Sequence, residues 1–194
     1  MPAGSLIAAL FGAAALFASA VSVRADESTW AAMKQPGVIA LIRHADAPGA
    51  GDPQGWRLDD CKTQRNLSER GRKQARALGE AFRAQAVRVG KVMASQWCRA
   101  YETAELMAIG PVEQIAAFNN AYVLFDQRDR LSRDANAALA AWDGADLLVV
   151  VTHGDNIQLL TGVMPSQGEI VLVERKPDRT RALTVIGRIR PGAV

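Results

Sequence analysis

Histidine and cysteine are both scarce in this chain, with two of each in 194 residues. Neither a CxxC nor an HxxxH pair can be drawn from them, so no zinc-type ligand spacing exists and no metal site is expected. Aromatic residues make up only 6% of the chain. Trp30, Trp56, Trp97 and Trp142 are scattered, which argues against a base-stacking platform for nucleic acid. Charge of one sign is nowhere concentrated: 23 basic and 20 acidic residues give +3, and the basic ones are spread along the chain. A mixed, solvated surface fits this pattern better than a nucleic-acid or membrane patch. After residue 25 no long apolar run, internal repeat or low-complexity tract occurs.

What remains is ordinary for a globular domain, 49% hydrophobic and 22% charged. The length suits one domain once the N-terminus is set aside. That N-terminus is different in kind. Leu6 to Val23 is uncharged and alanine-rich, and small residues at Val23 and Ala25 resemble a signal-peptidase site. Residues 1–25 are expected to be a cleaved signal peptide and 26–194 a single domain, exported to the periplasm or outside. The positive n-region is missing, and a retained N-terminal membrane anchor is the alternative.

Two short apolar runs, Val38–Ile42 and Leu147–Thr152, read as buried strands. Ser68 predicts an N-cap for a helix over about 69–85, with Ala75, Leu78, Gly79 and Phe82 on one stripe. Residues 91–94 and 112–116 read as short strands and 99–108 as a helix. The segment 119–130 is loop-like, and a helix over 133–142 is capped by Ser132. A helix over 156–161 and strands over 170–174 and 182–190 complete the pattern. Between them, residues 46–65 form a long, aperiodic loop rich in Gly, Pro and Asp. Alternating strands and helices predict a three-layer α/β/α sandwich around a largely parallel sheet.

Both histidines fall at strand ends. His44 follows the first run and is preceded by Arg43; His153 follows the second and precedes Gly154. Ligands of open α/β sheets bind beyond such strand ends. Arg99 opens a helix, where its guanidinium joins free N–H groups and the positive dipole end. Two imidazoles and two arginines converging there suit a phosphate: one imidazole to attack phosphorus, cations to hold the oxygens, and an acid to protonate the leaving group.

Four stretches, in order, carry a resemblance: Leu41-Ile42-Arg43-His44-Ala45, Arg65-Asn66-Leu67-Ser68-Glu69-Arg70-Gly71, Ser95 through Ala104, and Val151-Thr152-His153-Gly154. The pattern resembles the histidine phosphatase superfamily, also called phosphoglycerate-mutase-like. The likeness implies His44 as a phosphohistidine nucleophile and Arg43, Arg99 and His153 as the phosphate pocket. It implies Arg65 and Asp155 as substrate-binding residues and no cofactor. Ala45 departs from the family's usual glycine. The acid is expected at Asp126, with Asp155 as second choice. Arg57 and Lys62 read as solvated loop residues and Glu169 as structural. Trp97 suits a pocket wall and core packing equally.

Cys61 and Cys98 each lie beside one of these motifs. If both motifs line one pocket, and the chain is exported, the two can form a disulfide worth about 4 kcal/mol in the chain-entropy model. Two free buried cysteines are the alternative. The resemblance implies a phosphatase for a small phosphorylated substrate. A signal-bearing chain of this size resembles the periplasmic members that act on envelope sugar phosphates, such as lipopolysaccharide heptose phosphate, and that analogy gives the expected substrate class. A non-catalytic phosphoglycan-binding module of the same fold is the alternative function.

Overall fold

The apolar runs become the two central strands of a six-stranded sheet. The computed structural model describes residues 27–175, 183–190 and 192. The expected signal segment, residues 1–25, lies outside the described residues, as does Ala182. The strands are β1 (Val38–Arg43), β2 (Val89–Ala94), β3 (Val112–Gln114), β4 (Leu147–Thr152), β5 (Ile170–Arg175) and β6 (Leu183–Ile189). Their spatial order is β3-β2-β4-β1-β5-β6. The pairs β2·β3, β2·β4 and β1·β4 are parallel, whereas β1·β5 and β5·β6 are antiparallel. Every residue of β4 is buried, as is all of β1 except its last, Arg43. Strands covered on both faces need no polar alternation, which is why they read as unbroken hydrophobic runs.

The helices are α1 (Glu69–Ala84), α2 (Cys98–Met107), α3 (Arg128–Ala140) and α4 (Gly154–Thr161). Strand parity sorts the core into two layers. Val38, Ala40 and Ile42 with Val149 and Val151 pack against Leu78 and Phe82 of α1 and Ala104 and Met107 of α2. Ile39 and Leu41 with Leu148 and Val150 pack against Ala135 and Leu139 of α3 and Ile157 of α4. The fold is a three-layer α/β/α sandwich. A helical turn at residues 27–32 adds Trp30 to the first layer, edge-on to Phe82 at 5.4 Å.

Ser68 caps α1 by accepting from the Gly71 N–H, and Ala75, Leu78, Gly79 and Phe82 are all buried. Gly79 has a packing reason: a Cβ there would lie 1.8 Å from the Met107 carbonyl oxygen, so α1 and α2 cross at backbone distance. One expected boundary is wrong. The third helix does not start at a Ser132 cap; it starts at Arg128 after Gln127, so the end of the expected loop 119–130 is helical. Leu131, Ala135 and Leu139 form one buried stripe, and burial of Leu131 draws the first turn into the helix. Residues 46–65 cross the sheet end as a strap, with one short 3-10 helix at Cys61–Thr63.

Candidate active site

Strands β2, β4 and β1 lie side by side and parallel, so their carboxyl ends deliver Ser95, His153 and His44 to one place. Arg43 pairs with Thr152 in the β1·β4 register, and the His44 N–H donates to the Thr152 carbonyl at 2.9 Å. The two imidazoles stand opposite each other, centroids 5.4 Å apart, and both are buried.

His44 Nδ1 lies 2.9 Å from its neighbour's carbonyl, Ala45 O. A carbonyl only accepts, so Nδ1 carries the hydrogen and Nε2 keeps its lone pair. Burial, then the charge of Arg99, drive the His44 pKa down to about 3; Arg65 and Arg43 add to this, and the Ala45 hydrogen bond opposes it. The ring is therefore neutral at physiological pH. His153 is pushed well down for the same leading reasons, burial and Arg99. Its Nε2 is 3.0 Å from Ser95 Oγ. Ala45 fits without strain. It is not among the residues of positive φ, its side chain is fully buried, and its N–H donates to Thr103 Oγ1. The glycine usual at this position is not required by the backbone here.

Three arginines surround the pair. Arg43 Nη1 donates to the Pro165 carbonyl at 2.8 Å, and its guanidinium passes beside Gly154, where a Cβ would come within 3.3 Å of it. Arg65 Nη1 donates to the Ala47 carbonyl. Arg99, buried at the start of α2, is held by Asp52: Nη1 to Oδ1 at 2.8 Å and Nη2 to Oδ2 at 3.2 Å. Six buried side-chain polar atoms lack a partner among the described residues, and four of them are Arg43 Nε, Arg65 Nε, Arg99 Nε and His153 Nδ1. Buried donors are normally satisfied, so three orphaned arginine Nε groups beside His44 suit an oxyanion.

The strap closes this site. Cys61 and Cys98 form a disulfide, Cα atoms 5.7 Å apart, next to Arg99. Gln64 Oε1 accepts from the Cys98 N–H. Trp97 is fully buried, lies tilted against Trp56 at 4.8 Å and meets His153 edge-on at 5.8 Å. Asp52 escaped the sequence reading. Burial pushes its pKa up, but hydrogen bonds from Arg99, the Arg65 N–H and Trp97 outweigh this and hold it below the usual carboxylate range. The available signal was indirect: a strap tied beside Arg99 by a disulfide brings its own acids to that arginine.

The two acid candidates differ. Asp155, in the first turn of α4, acts electrostatically on Arg43 and lines a groove of about 370 Å³ with Tyr122, Phe125 and Arg128. Asp126 is exposed on the 3-10 turn Phe125–Gln127. Arg57 pairs with Asp59 in solvent, and Lys62 is exposed. Glu169 is structural: its side chain pairs with Arg188 at 2.7 Å, and its carbonyl accepts from the Arg43 N–H.

The model of the histidine phosphatase superfamily (branch 1) matches residues 39–122, from β1 through the strap and α2. Over that stretch the chain is similar to the histidine phosphatase superfamily. No curated protein sequence matches it. Solved structures with a similar fold include the protein histidine phosphatase SixA complexed with tungstate, at 18% identity and TM-score 0.54, covering 79% of this chain and 97% of that one. An Escherichia coli K-12 protein assigned as an alpha-ribazole-5′-P phosphatase reaches TM-score 0.60 at 17% identity, over 82% and 98% of the two chains. At these identities the likeness speaks for the fold.

Proposed function

We propose that this chain is a phosphatase that hydrolyses a phosphomonoester through a phosphohistidine on His44, without a metal ion. The observation that carries this reading is the fixed tautomer of His44, which leaves Nε2 neutral and unprotonated beside three orphaned arginine donors. Nε2 attacks phosphorus and the ester P–O bond breaks. The leaving oxygen takes a proton from a neighbouring acid. A water then adds to phosphorus, returns a proton to that acid, and the P–N bond breaks to release phosphate. Arg43, Arg65, Arg99 and His153 hold the non-bridging oxygens, where charge must be stabilised during transfer.

Asp155 is the preferred acid in this reading, because it is the candidate coupled to Arg43 and open to a groove. Asp126 is the alternative donor. The groove beside Asp155 receives the leaving group, and its exposed Tyr122 and Phe125 suit the apolar face of a sugar ring. An envelope sugar phosphate is the proposed substrate class. The disulfide supports an oxidising compartment and hence export, with residues 1–25 as the signal. No helix among the described residues is long and apolar enough to cross a membrane.

The test is phosphate release from an aryl phosphate by the purified protein in the presence of a chelator. The His44→Ala variant is expected to lose at least about a thousandfold in turnover. Rapid quenching of the wild type should trap acid-labile phosphate on His44. Equal turnover by both proteins would overturn the assignment of the nucleophile. Phosphate binding by folded wild type without turnover would establish the non-catalytic binding module instead.

A further inference from the structure

The carboxylate of Asp52 is in direct contact with the phosphate pocket, yet it has the wrong charge to bind phosphate and no free edge with which to donate a proton. Oδ1 accepts from Arg99 Nη1 at 2.8 Å and the Arg65 N–H at 3.0 Å. Oδ2 accepts from Trp97 Nε1 at 3.0 Å and Arg99 Nη2 at 3.2 Å. A carboxylate filled by four donors stays ionised. A guanidinium has two bidentate edges, and Asp52 takes the one formed by Nη1 and Nη2. Nε is left buried and without a protein partner. Among the described residues, neither Arg43 nor Arg65 donates to a carboxylate; both spend their Nη1 on backbone carbonyls.

We propose that Asp52 is a positioning residue for phosphoryl transfer, holding the far edge of Arg99 so that its Nε edge is aimed at the phosphoryl oxygens. This rests on the phosphatase reading above. The strap makes the hold rigid. It is cross-linked to the residue before Arg99 and carries Arg65, whose own carbonyl accepts from Arg99 Nη1 at 3.2 Å. Asp52 thus ties two of the pocket's three arginines into one unit. Its charge has a second effect: next to a bound phosphate it repels the ground-state anion. Removing that charge frees Arg99 to follow the anion, while its alignment for the transition state is lost.

The test is Asp52→Asn in the full protein, measured on an aryl phosphate and with inorganic phosphate as inhibitor. Turnover is expected to fall roughly 10- to 100-fold, the scale of a misplaced catalytic group. Phosphate inhibition should stay as strong or grow stronger, and the pH profile should keep its shape. The second arm is a double-mutant cycle. Asp52→Asn added to Arg99→Ala should change phosphate affinity and residual turnover by less than about twofold, because the effect passes through Arg99.

Unchanged or raised turnover with tighter phosphate binding would overturn the proposal and make Asp52 a competing anion. Loss of the basic limb of the profile, worst for poor leaving groups, would overturn it in favour of a proton donor. Parallel loss of turnover and phosphate affinity with free thiols and a lowered melting temperature would also overturn it, as a structural defect. If Asp52→Asn does not fold, Trp97→Phe removes one donor from Oδ2 and should give a smaller loss with the same split; full turnover in that variant would overturn the proposal. Inactive wild type with intact phosphate binding would instead count against the phosphatase reading.

Discussion

Between β1 and β4 the histidines are held by backbone: neighbouring parallel strands, a hydrogen bond from the His44 N–H to Thr152, and a ring tied to the adjacent Ala45 carbonyl. The strap over them is held by side chains and a cross-link: Asp52 to Arg99 and Trp97, Gln64 to Cys98, Asn66 to Cys61, and the Cys61–Cys98 disulfide. Both regions contribute to one pocket. The strand ends supply the proposed nucleophile from the most buried part of the fold, where local opening is rarest. The strap supplies alignment from a segment with almost no regular structure. Chemistry placed on the sheet is robust by construction, whereas alignment placed on the strap depends on a few long-range bonds.

Cutting the disulfide is the strongest way to break this contrast. A link spanning 37 positions is worth about 4 kcal/mol in the chain-entropy model. The reduced protein, or Cys61→Ala/Cys98→Ala, should melt at clearly lower temperature. Under native conditions its amide exchange should rise across residues 48–66 while β1 and β4 stay protected. Turnover should fall with the strap, because Asp52 and Arg65 leave Arg99. Equal melting of oxidised and reduced protein, or exchange spread evenly over sheet and strap, would show that the strap is held without the cross-link.

The same contrast explains what could be read from the sequence. Val38–Ile42 and Leu147–Thr152 announce themselves because strands buried on both faces are continuous hydrophobic runs, and the residue after each is fixed in space by the sheet. Helix α1 announces itself by a cap and a stripe. Helix α3 was misread at its start because Ser132, a good cap by type, sits inside the helix, where its carbonyl accepts from Asn136. A capping residue competes with a buried leucine one position earlier, and the leucine wins. Asp52 could not be read at all. Nothing periodic marks an aspartate in a Gly- and Pro-rich loop, and its partners lie 45 and 47 positions away. The disulfide was the one long-range restraint in view, and it points to the right neighbourhood.

Acid sharpens the comparison from the side of the strand ends. His44 is neutral when folded, with a pKa of about 3 against an ordinary 6.5. Between those values the unfolded chain binds a proton that the folded chain does not, so stability rises with pH and is lost as pH falls below about 6.5. From pH 7 to pH 5, His44 alone should cost about 2 kcal/mol, and His153, shifted in the same direction, adds to it. Melting temperature followed over this range should fall with that slope and do so less in His44→Ala. Nucleophile protonation should not limit turnover near pH 6. An acid limb there would report the phosphate ester, whose second ionisation lies near 6, or loss of fold. A titration near 6.5 assigned to the His44 ring by NMR would show the ring to be solvated, contrary to its burial.

The smallest effect is expected within the strap itself, where not every polar contact matters. Arg57 bonds to Asp59 as neatly as Arg99 bonds to Asp52, with Nη2 to Oδ2 at 2.8 Å. Both partners are well exposed, 64% and 72%, whereas Arg99 and Asp52 are fully buried. In water the exposed pair exchanges one set of hydrogen bonds for another and is screened by salt. Arg57→Ala should leave melting temperature and turnover unchanged, while its backbone N–H keeps its bond to Thr63 Oγ1. A clear loss of turnover in Arg57→Ala would place this arginine on the substrate's path and move part of the recognition from the floor of the pocket to its rim. An unchanged variant, beside a damaged Asp52→Asn, would show that two similar ion pairs a few residues apart differ in consequence because only one is withdrawn from water and joined to the pocket.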